Sequence, residues 1–303
     1  MDNKQQHPRE SAQRSFPGNP LPEHAMSAIL SSRDFQQLSS LIYSELGIKM
    51  PESKSTMLTG RLAKRLRALG FDSFTQYCDF LFSPKGLEEE MVHLINVVTT
   101  NKTDFFREPS HFEYLTTTAL PNLQKQHHFS ARHPLRIWSA GCSTGEEPYT
   151  MAMVLSDVQE RHPGFRFEIL ATDISTRVLE IARRAVYPME RIDPVANIHR
   201  KKYLLKGSDR RNPQVRIVPE LRRLIRFGRL NFMDEEFGLP EQVDIIFCRN
   251  VIIYFDKETQ EKLMAKFSRY LHQGGYLFLG HSESLHGYQT SFVQVAPTIY
   301  RKP

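Results

Sequence analysis

Ile137-Trp138-Ser139-Ala140-Gly141-Cys142-Ser143-Thr144-Gly145-Glu146-Glu147-Pro148-Tyr149 reads as an apolar strand, a turn of small residues and the first turn of a helix. Small residues let a ligand approach the backbone, and a helix N-terminus presents N–H groups that lack intrahelical partners. In an open, doubly wound sheet this is the corner where a cofactor sits. The spacing is Gly-x-x-x-Gly, not the Gly-x-Gly-x-x-Gly that cradles a pyrophosphate, and two carboxylates, Glu146 and Glu147, follow at once. They would repel a phosphate and tolerate a cation. S-adenosylmethionine carries a sulfonium, an ammonium and no phosphate, so it suits this corner better than a dinucleotide. The same residues read equally as an ordinary turn with two glutamates at a helix start.

Outward from that corner, apolar runs at 135–140, 167–172, 243–248, 276–279 and 292–300 alternate with longer segments, and helices begin near Glu146 and Thr176. Strands alternating with helices predict an α/β domain with a mostly parallel, Rossmann-like sheet, its last two runs forming an antiparallel edge. A basic insertion at about 197–223, with turn chemistry at Gly207-Ser208-Asp209, reads as a small strand-rich excursion.

The residues before this domain follow a helical period. Phe35, Leu38, Leu41, Ile42 and Leu46 share one face and end at Gly47. Leu58, Leu62, Leu66 and Leu69 stripe a helix over 53–69, closed by Gly70. Ser73 opens a third helix with Phe74, Tyr77, Cys78 and Leu81. A fourth over 87–98 turns Leu87, Met91, Leu94, Ile95 and Val98 inward. The predicted organisation is a flexible tail over 1–30, rich in Pro, Gln, His and Ser, an all-α domain over 31–98, and the α/β domain over 99–303.

Composition narrows the class. The 303 residues fit about two domains. A 40% hydrophobic content excludes a wholly disordered chain. No apolar run approaches the ~20 residues of a membrane span, and no secretory signal is read at the N-terminus. Three cysteines, far apart, argue against a disulfide framework or a Cys-rich zinc site. A soluble, reduced, cytoplasmic protein is expected. Lys and Arg number 40 against 34 Asp and Glu. This excess favours an acidic partner: nucleic acid, an anionic membrane surface or an acidic protein.

Further candidates sit at strand ends. Leu170-Ala171-Thr172-Asp173-Ile174 leaves Asp173 where an adenosyl ribose could be held, or where a helix N-cap is needed. After Ile245-Ile246-Phe247-Cys248, Arg249, Asn250 and Tyr254 emerge at the carboxyl edge of the sheet. Thr99-Thr100-Asn101-Lys102-Thr103-Asp104-Phe105-Phe106-Arg107-Glu108 lies at the domain junction, a favoured place for a cleft. There Arg107 suits a bidentate grip on a carboxylate, or an interdomain ion pair. The helix over 53–70 carries Lys54, Arg61, Lys64, Arg65 and Arg67 and no acid. It offers a solvated basic face or a docking strip. No His-Glu-x-x-His, Gly-x-Ser-x-Gly or phosphate-loop Gly-Lys-Ser/Thr is present, so no metal centre or hydrolase site is predicted.

These segments, in this order and over roughly residues 31 to 300, resemble the CheR family of chemotaxis receptor methyltransferases. Arg61-Leu62-Ala63-Lys64-Arg65-Leu66-Arg67-Ala68-Leu69-Gly70 is similar to the family's basic receptor-docking helix, and residues 99–108, 143–149, 247–256 and Gly280-His281-Ser282-Glu283-Ser284 to its other signatures. The resemblance implies S-adenosylmethionine-dependent methylation of glutamate side chains in the cytoplasmic helical region of methyl-accepting chemotaxis receptors. It implies cofactor contacts from Asn101, Thr103 and Arg107, with Arg107 near the reacting centre. Glu147 would serve the amino-acid end, Asp173 the ribose, and Asn231 and Phe232 the adenine. Arg249 and Asn250 would line the methionine portion, with Tyr254 near the methyl. Arg61, Lys64, Arg65 and Arg67 would meet the receptor. No metal, no nucleic acid, only indirect membrane contact through receptors, and a monomer are expected. The turn Lys206-Gly207-Ser208-Asp209-Arg210-Arg211-Asn212-Pro213 has one glycine, where members that tether to a receptor C-terminal pentapeptide are glycine-rich. A pentapeptide-independent enzyme is therefore expected. A nucleic-acid methyltransferase would fit the charge, but the short Asn/Asp-Pro-Pro-Tyr/Phe type of motif is missing. A non-catalytic adaptor would keep the basic helix and lose the cofactor corner.

Overall fold

The helical period and the strand alternation resolve into two joined units in the computed structural model, which describes residues 30–127, 129–239 and 241–303. The tail expected over 1–30 falls outside these except for Leu30, which is buried in the helical core. Helix α1 (Ser32–Leu46) starts at Ser31, whose hydroxyl accepts the Asp34 N–H at 3.1 Å, and stops at Gly47, whose φ of 67° a side chain would disfavour. Helices α2 (Ser55–Leu69) and α3 (Phe74–Leu81) follow, the latter capped by Ser73. The single helix expected over 87–98 is two, α4 (Pro84–Glu89) and α5 (Met91–Val98), and Leu87 faces solvent. The break comes at Glu90, whose carboxylate turns into the core to meet Arg65 and Tyr77. Leu38, Leu58, Leu62, Tyr77, Leu81 and Leu94 fill the centre of this unit.

The second unit opens with a helical stretch that the periodicity did not reveal. Helix α6 (Pro109–Tyr114) runs through a π-turn (Leu115–Ala119) into α7 (Leu120–Gln124). Proline at both starts and a run of three threonines mask its period. Strands β1 (Leu135–Ala140) and β2 (Phe167–Asp173) follow, separated by α8 (Glu146–Arg161), and α9 (Thr176–Arg184) follows β2. An excursion then forms a small antiparallel sheet of β3 (Val186–Pro188), β4 (Leu204–Lys206) and β5 (Gln214–Ile217), with α10 (Asn197–Tyr203) between β3 and β4. It therefore reaches back before residue 197. The chain returns through α11 (Pro219–Arg222) to β6 (Ile225–Arg229), a strand whose alternating Arg and Gly hid it. It continues with β7 (Val243–Cys248), α12 (Lys257–Tyr270), β8 (Leu271–Leu279), β9 (Val293–Ala296) and β10 (Ile299–Arg301).

The main sheet is ordered β6-β2-β1-β7-β8-β10-β9. The first five strands are parallel, and β10 pairs antiparallel with both β8 and β9, as expected of that edge. Every residue of β7 is buried, which explains its apolar character apart from Asp244, whose carboxylate accepts the Arg136 N–H at 2.8 Å. One face packs under α6–α8 and the small sheet; the other, with Trp138 and Phe267, packs under α12. Among the described residues no helix is long and apolar enough to cross a membrane.

Candidate functional site

From β1 the chain winds outward to β2 and β6, then returns to place β7 on the other side of β1. At such a reversal the loops beyond the strand ends part and leave a crevice. Here it is a cavity of about 450 Å³, with Gly141 at the end of β1, Asp173 at the end of β2 and Arg249 at the end of β7. Residues of the helical unit, among them Leu46, Ile48, Met50 and Met57, roof it. Asn101, Thr103, Arg107, Glu147, Asp173, Asn231, Phe232, Arg249, Asn250 and Tyr254 all line this one cavity, though the chain separates them by up to about 150 residues. Gly141 is required as glycine: its φ is 87°, and a Cβ would lie 2.7 Å from Val251 Cγ2.

The electrostatics are set by buried carboxylates. Asp173 accepts the Ser143 and Ser175 N–H groups at 2.8 and 2.9 Å, while burial pushes its carboxyl above the usual value. Burial likewise raises Glu147, opposed by Arg249; its two oxygens accept the Ser139 hydroxyl at 2.8 Å and Arg249 Nη1 at 3.1 Å. Arg249 itself is buried and fully engaged. It reaches Glu147, donates Nε and Nη2 to Glu108 Oε2 at 3.2 and 2.9 Å, and donates to the Arg107 carbonyl. Burial alone would raise Glu108, but the His281 N–H and Arg249 outweigh it and hold it below the usual range. A corner lined by the buried carboxylates of Asp173 and Glu147 tolerates a cation and offers hydrogen-bond acceptors, which fits an adenosyl sulfonium ligand.

Arg107 differs from Arg249. Its Nη1 donates to the Lys102 carbonyl at 3.0 Å, and among the described residues no carboxylate pairs with it. It is a half-buried guanidinium with donors left over for a ligand. Its neighbours are strained: Phe106, Glu108, Ser143 and Asn250 all have φ between 49° and 59°. A non-glycine residue there costs on the order of 1–3 kcal/mol, and such residues gather at functional sites. Asn231 donates to the Glu45 carbonyl at 2.7 Å, tying the sheet unit to the end of α1. Tyr254 lies beneath the helical unit, its carbonyl accepting the Lys49 N–H at 3.1 Å.

Two residues without an assigned role prove central. Glu283 accepts four backbone N–H groups, those of Gly280, Asn250, Val251 and Ile252, at 2.6 to 2.9 Å, and so fixes the loop after β7. Gly280 must be glycine there, since a Cβ would sit 2.8 Å from the Asn250 nitrogen. Glu108 joins Arg249 to His281. Both lie inside quoted signatures, but nothing in a linear sequence says that one carboxylate collects four amides. Glu108, His111 and His281 also bring possible metal-ligand atoms within 4.8 Å of one another, but both Glu108 oxygens already have partners.

The basic helix divides. Arg61 lies along the C-terminus of α5, donating to the Val97, Val98 and Thr99 carbonyls at 2.8 to 3.3 Å. Arg65 pairs with the buried Glu90 at 2.5 Å. Lys64 and Arg67 are exposed.

Comparison with known proteins agrees with this geometry. Residues 101–301 match the model of the CheR methyltransferase SAM-binding domain, and residues 33–99 that of the CheR methyltransferase all-α domain. A chemotaxis protein methyltransferase of Borreliella burgdorferi is 39% identical over 274 residues, covering 90% of this chain and 95% of that protein. The Salmonella typhimurium and Escherichia coli chemotaxis protein methyltransferases are 38% and 37% identical, covering 89% of this chain and 90% and 91% of their own lengths. With both domain models matched in order and the strand-end residues of the α/β unit gathered on one cavity, this chain belongs to the CheR family of S-adenosylmethionine-dependent chemotaxis methyltransferases.

Proposed function

We propose that the protein methylates glutamate side-chain carboxylates in the cytoplasmic helical region of chemotaxis receptors, giving γ-glutamyl methyl esters and S-adenosylhomocysteine for sensory adaptation. The observation that carries this reading is Arg107: a guanidinium on the cavity wall with no carboxylate of its own, amid buried acids that suit a cationic cofactor. When bound, S-adenosylmethionine supplies an electrophilic methyl group whose departure leaves a neutral thioether. An acceptor glutamate is ionised at neutral pH, so no general base and no metal is needed. Arg107 orients the acceptor carboxylate, and the apolar roof of Leu46, Ile48, Met50 and Met57 excludes water. Asp173 holds the ribose hydroxyls and Glu147 faces the amino-acid end. Asn231 and Phe232 flank the adenine, Thr103, Asn101 and Asn250 complete the cofactor contacts, and Tyr254 stands near the transferred methyl. Arg249 acts by fixing Glu147 and the Arg107 backbone. Alignment of this kind is worth up to ~7–11 kcal/mol of barrier.

Receptor docking falls to Lys64 and Arg67, with Arg61 and Arg65 supporting the helix from within. We read the enzyme as a cytoplasmic monomer that meets the membrane through its receptors and does not use a C-terminal pentapeptide. Micromolar binding of such a peptide in calorimetry would reverse that last point. The main test is methyl transfer from labelled S-adenosylmethionine to a purified receptor cytoplasmic fragment, followed by mild alkali. Label that joins the fragment and leaves as methanol supports the reading. S-adenosylhomocysteine binding without transfer to any receptor fragment defeats the acceptor assignment.

A further inference from the structure

Three side chains of the small-sheet excursion reach out of it and hold consecutive residues of the loop that carries Arg107. Arg191, in the 3-10 turn after β3, donates from Nη2 to the Thr103 carbonyl at 2.5 Å and from Nη1 to Asp104 Oδ1 at 3.0 Å. Its Nη2 also meets the buried Glu146 at 2.5 Å. Tyr187 of β3 sets its ring edge-on to Phe105, with centroids 5.0 Å apart. His199 of α10 lies flat on Phe106, at 5.5 Å and an interplanar angle of 10°. Residues 103 to 106 thus each meet a group from the excursion.

The excursion is itself anchored. Asp157 of α8 binds His199 Nε2 at 2.6 Å, Lys202 Nζ at 2.9 Å and the Tyr203 hydroxyl at 2.7 Å. Tyr187 donates its hydroxyl to the Thr144 carbonyl at 2.8 Å. The Asp157 bond helps anchor His199, and the flat face of the ring, packed on the side chain, sets Phe106. Phe106 holds a left-handed φ of 53° that persists only where its surroundings over-determine it. The next residue is Arg107.

We propose that Arg191 and His199 are positioning residues for the methyl transfer, Arg191 setting the cofactor-facing half of the loop at Thr103 and His199 setting Arg107 through Phe106. This rests on the methyl-transfer reading above. The two grips lie at different points, so they separate kinetically. Loosening the Thr103 end weakens cofactor binding. Loosening the Phe106 end misaligns the acceptor and lowers turnover, since a displacement of ~1 Å costs about 10²-fold.

The test uses the full chain. Methyl transfer to a receptor fragment gives kcat and KM, calorimetry gives S-adenosylhomocysteine affinity, and denaturant midpoints verify folding. His199→Gln keeps a hydrogen-bonding group towards Asp157 and removes the ring; His199→Phe keeps the ring and removes the bond. We expect His199→Ala and His199→Gln to lower kcat about 10-fold or more while cofactor affinity holds, and His199→Phe to recover most of the loss. Arg191→Lys retains a charge for Glu146 but not the fork, and should weaken S-adenosylhomocysteine binding about 10-fold. Normal kcat in His199→Gln, or a Phe variant as impaired as the Gln variant, overturns the role of His199 and leaves it an anchor of α10. Unchanged affinity in Arg191→Lys overturns the role of Arg191. A wild-type protein that transfers no methyl group defeats the acceptor reading instead, and the affinity arm still judges Arg191.

Discussion

At the scale of single residues, two guanidiniums on one cavity wall divide the work by what already surrounds them. Arg249 is enclosed by Glu108, Glu147 and a carbonyl, while Arg107 keeps donors in reserve. Arg107→Ala should lower kcat/KM for methyl transfer about 10²-fold with an unchanged unfolding midpoint; near-normal turnover would show that orientation of the acceptor lies elsewhere. His111 gives a prediction for stability. Burial, reinforced by Arg249, lowers it from 6.5 to about 4. Above pH 6.5 the ring is neutral in both states and contributes nothing. Below it the unfolded chain takes up a proton that the folded chain refuses, so stability falls as pH drops and the loss is complete below pH 4. Between pH 7 and pH 5 this amounts to about 2 kcal/mol. Urea unfolding at both pH values should show it, and a His111→Gln variant should lose that part of the pH dependence.

At the scale of elements, helix α2 shows how far a sequence can be read and where reading stops. Its leucine stripe and its glycine stop were legible, because a 3.6-residue period and a left-handed cap are local properties. The strands at 135–140 and 243–248 were legible for the same reason, as were the cavity residues at their ends. The fate of the arginines was not. Arg61 and Arg65 read as surface charges until α5 arrives with unpaired carbonyls and Glu90 arrives with a buried carboxylate. Those partners lie 25 to 38 residues away, beyond any local pattern. The strand β6 escapes a local reading because Arg and Gly break its alternation, and the helical run from Pro109 because its prolines and threonines mask the period. Removing Arg65 leaves Glu90 as an uncompensated buried charge, so Arg65→Ala should destabilise the protein by about 3–5 kcal/mol, measured by denaturant unfolding. Reversing Lys64 and Arg67 to Glu together is the cleaner probe of docking. It should slow receptor methylation severalfold at low ionic strength and leave S-adenosylhomocysteine affinity intact; equal loss of both would indicate misfolding.

At the scale of the whole molecule, the excess of base over acid is spread unevenly, and its effect should be felt before contact. Raising ionic strength from ~0.01 to ~0.15 M shortens the screening length from about 30 to 8 Å, so the apparent KM for receptor fragment should rise while that for the cofactor stays level. The bond from Asn231 to the Glu45 carbonyl has a larger consequence. It fastens the roof of the cavity to its floor, and residues of both units line the cavity. Heat should therefore melt the two units more nearly as one when the cavity is filled than when it is empty, which calorimetry with and without S-adenosylhomocysteine would show. A ligand present at 100 times its dissociation constant adds about 2.7 kcal/mol to whatever binds it. Here that increment belongs to neither unit alone, and the cavity contents become the cement of the tertiary structure.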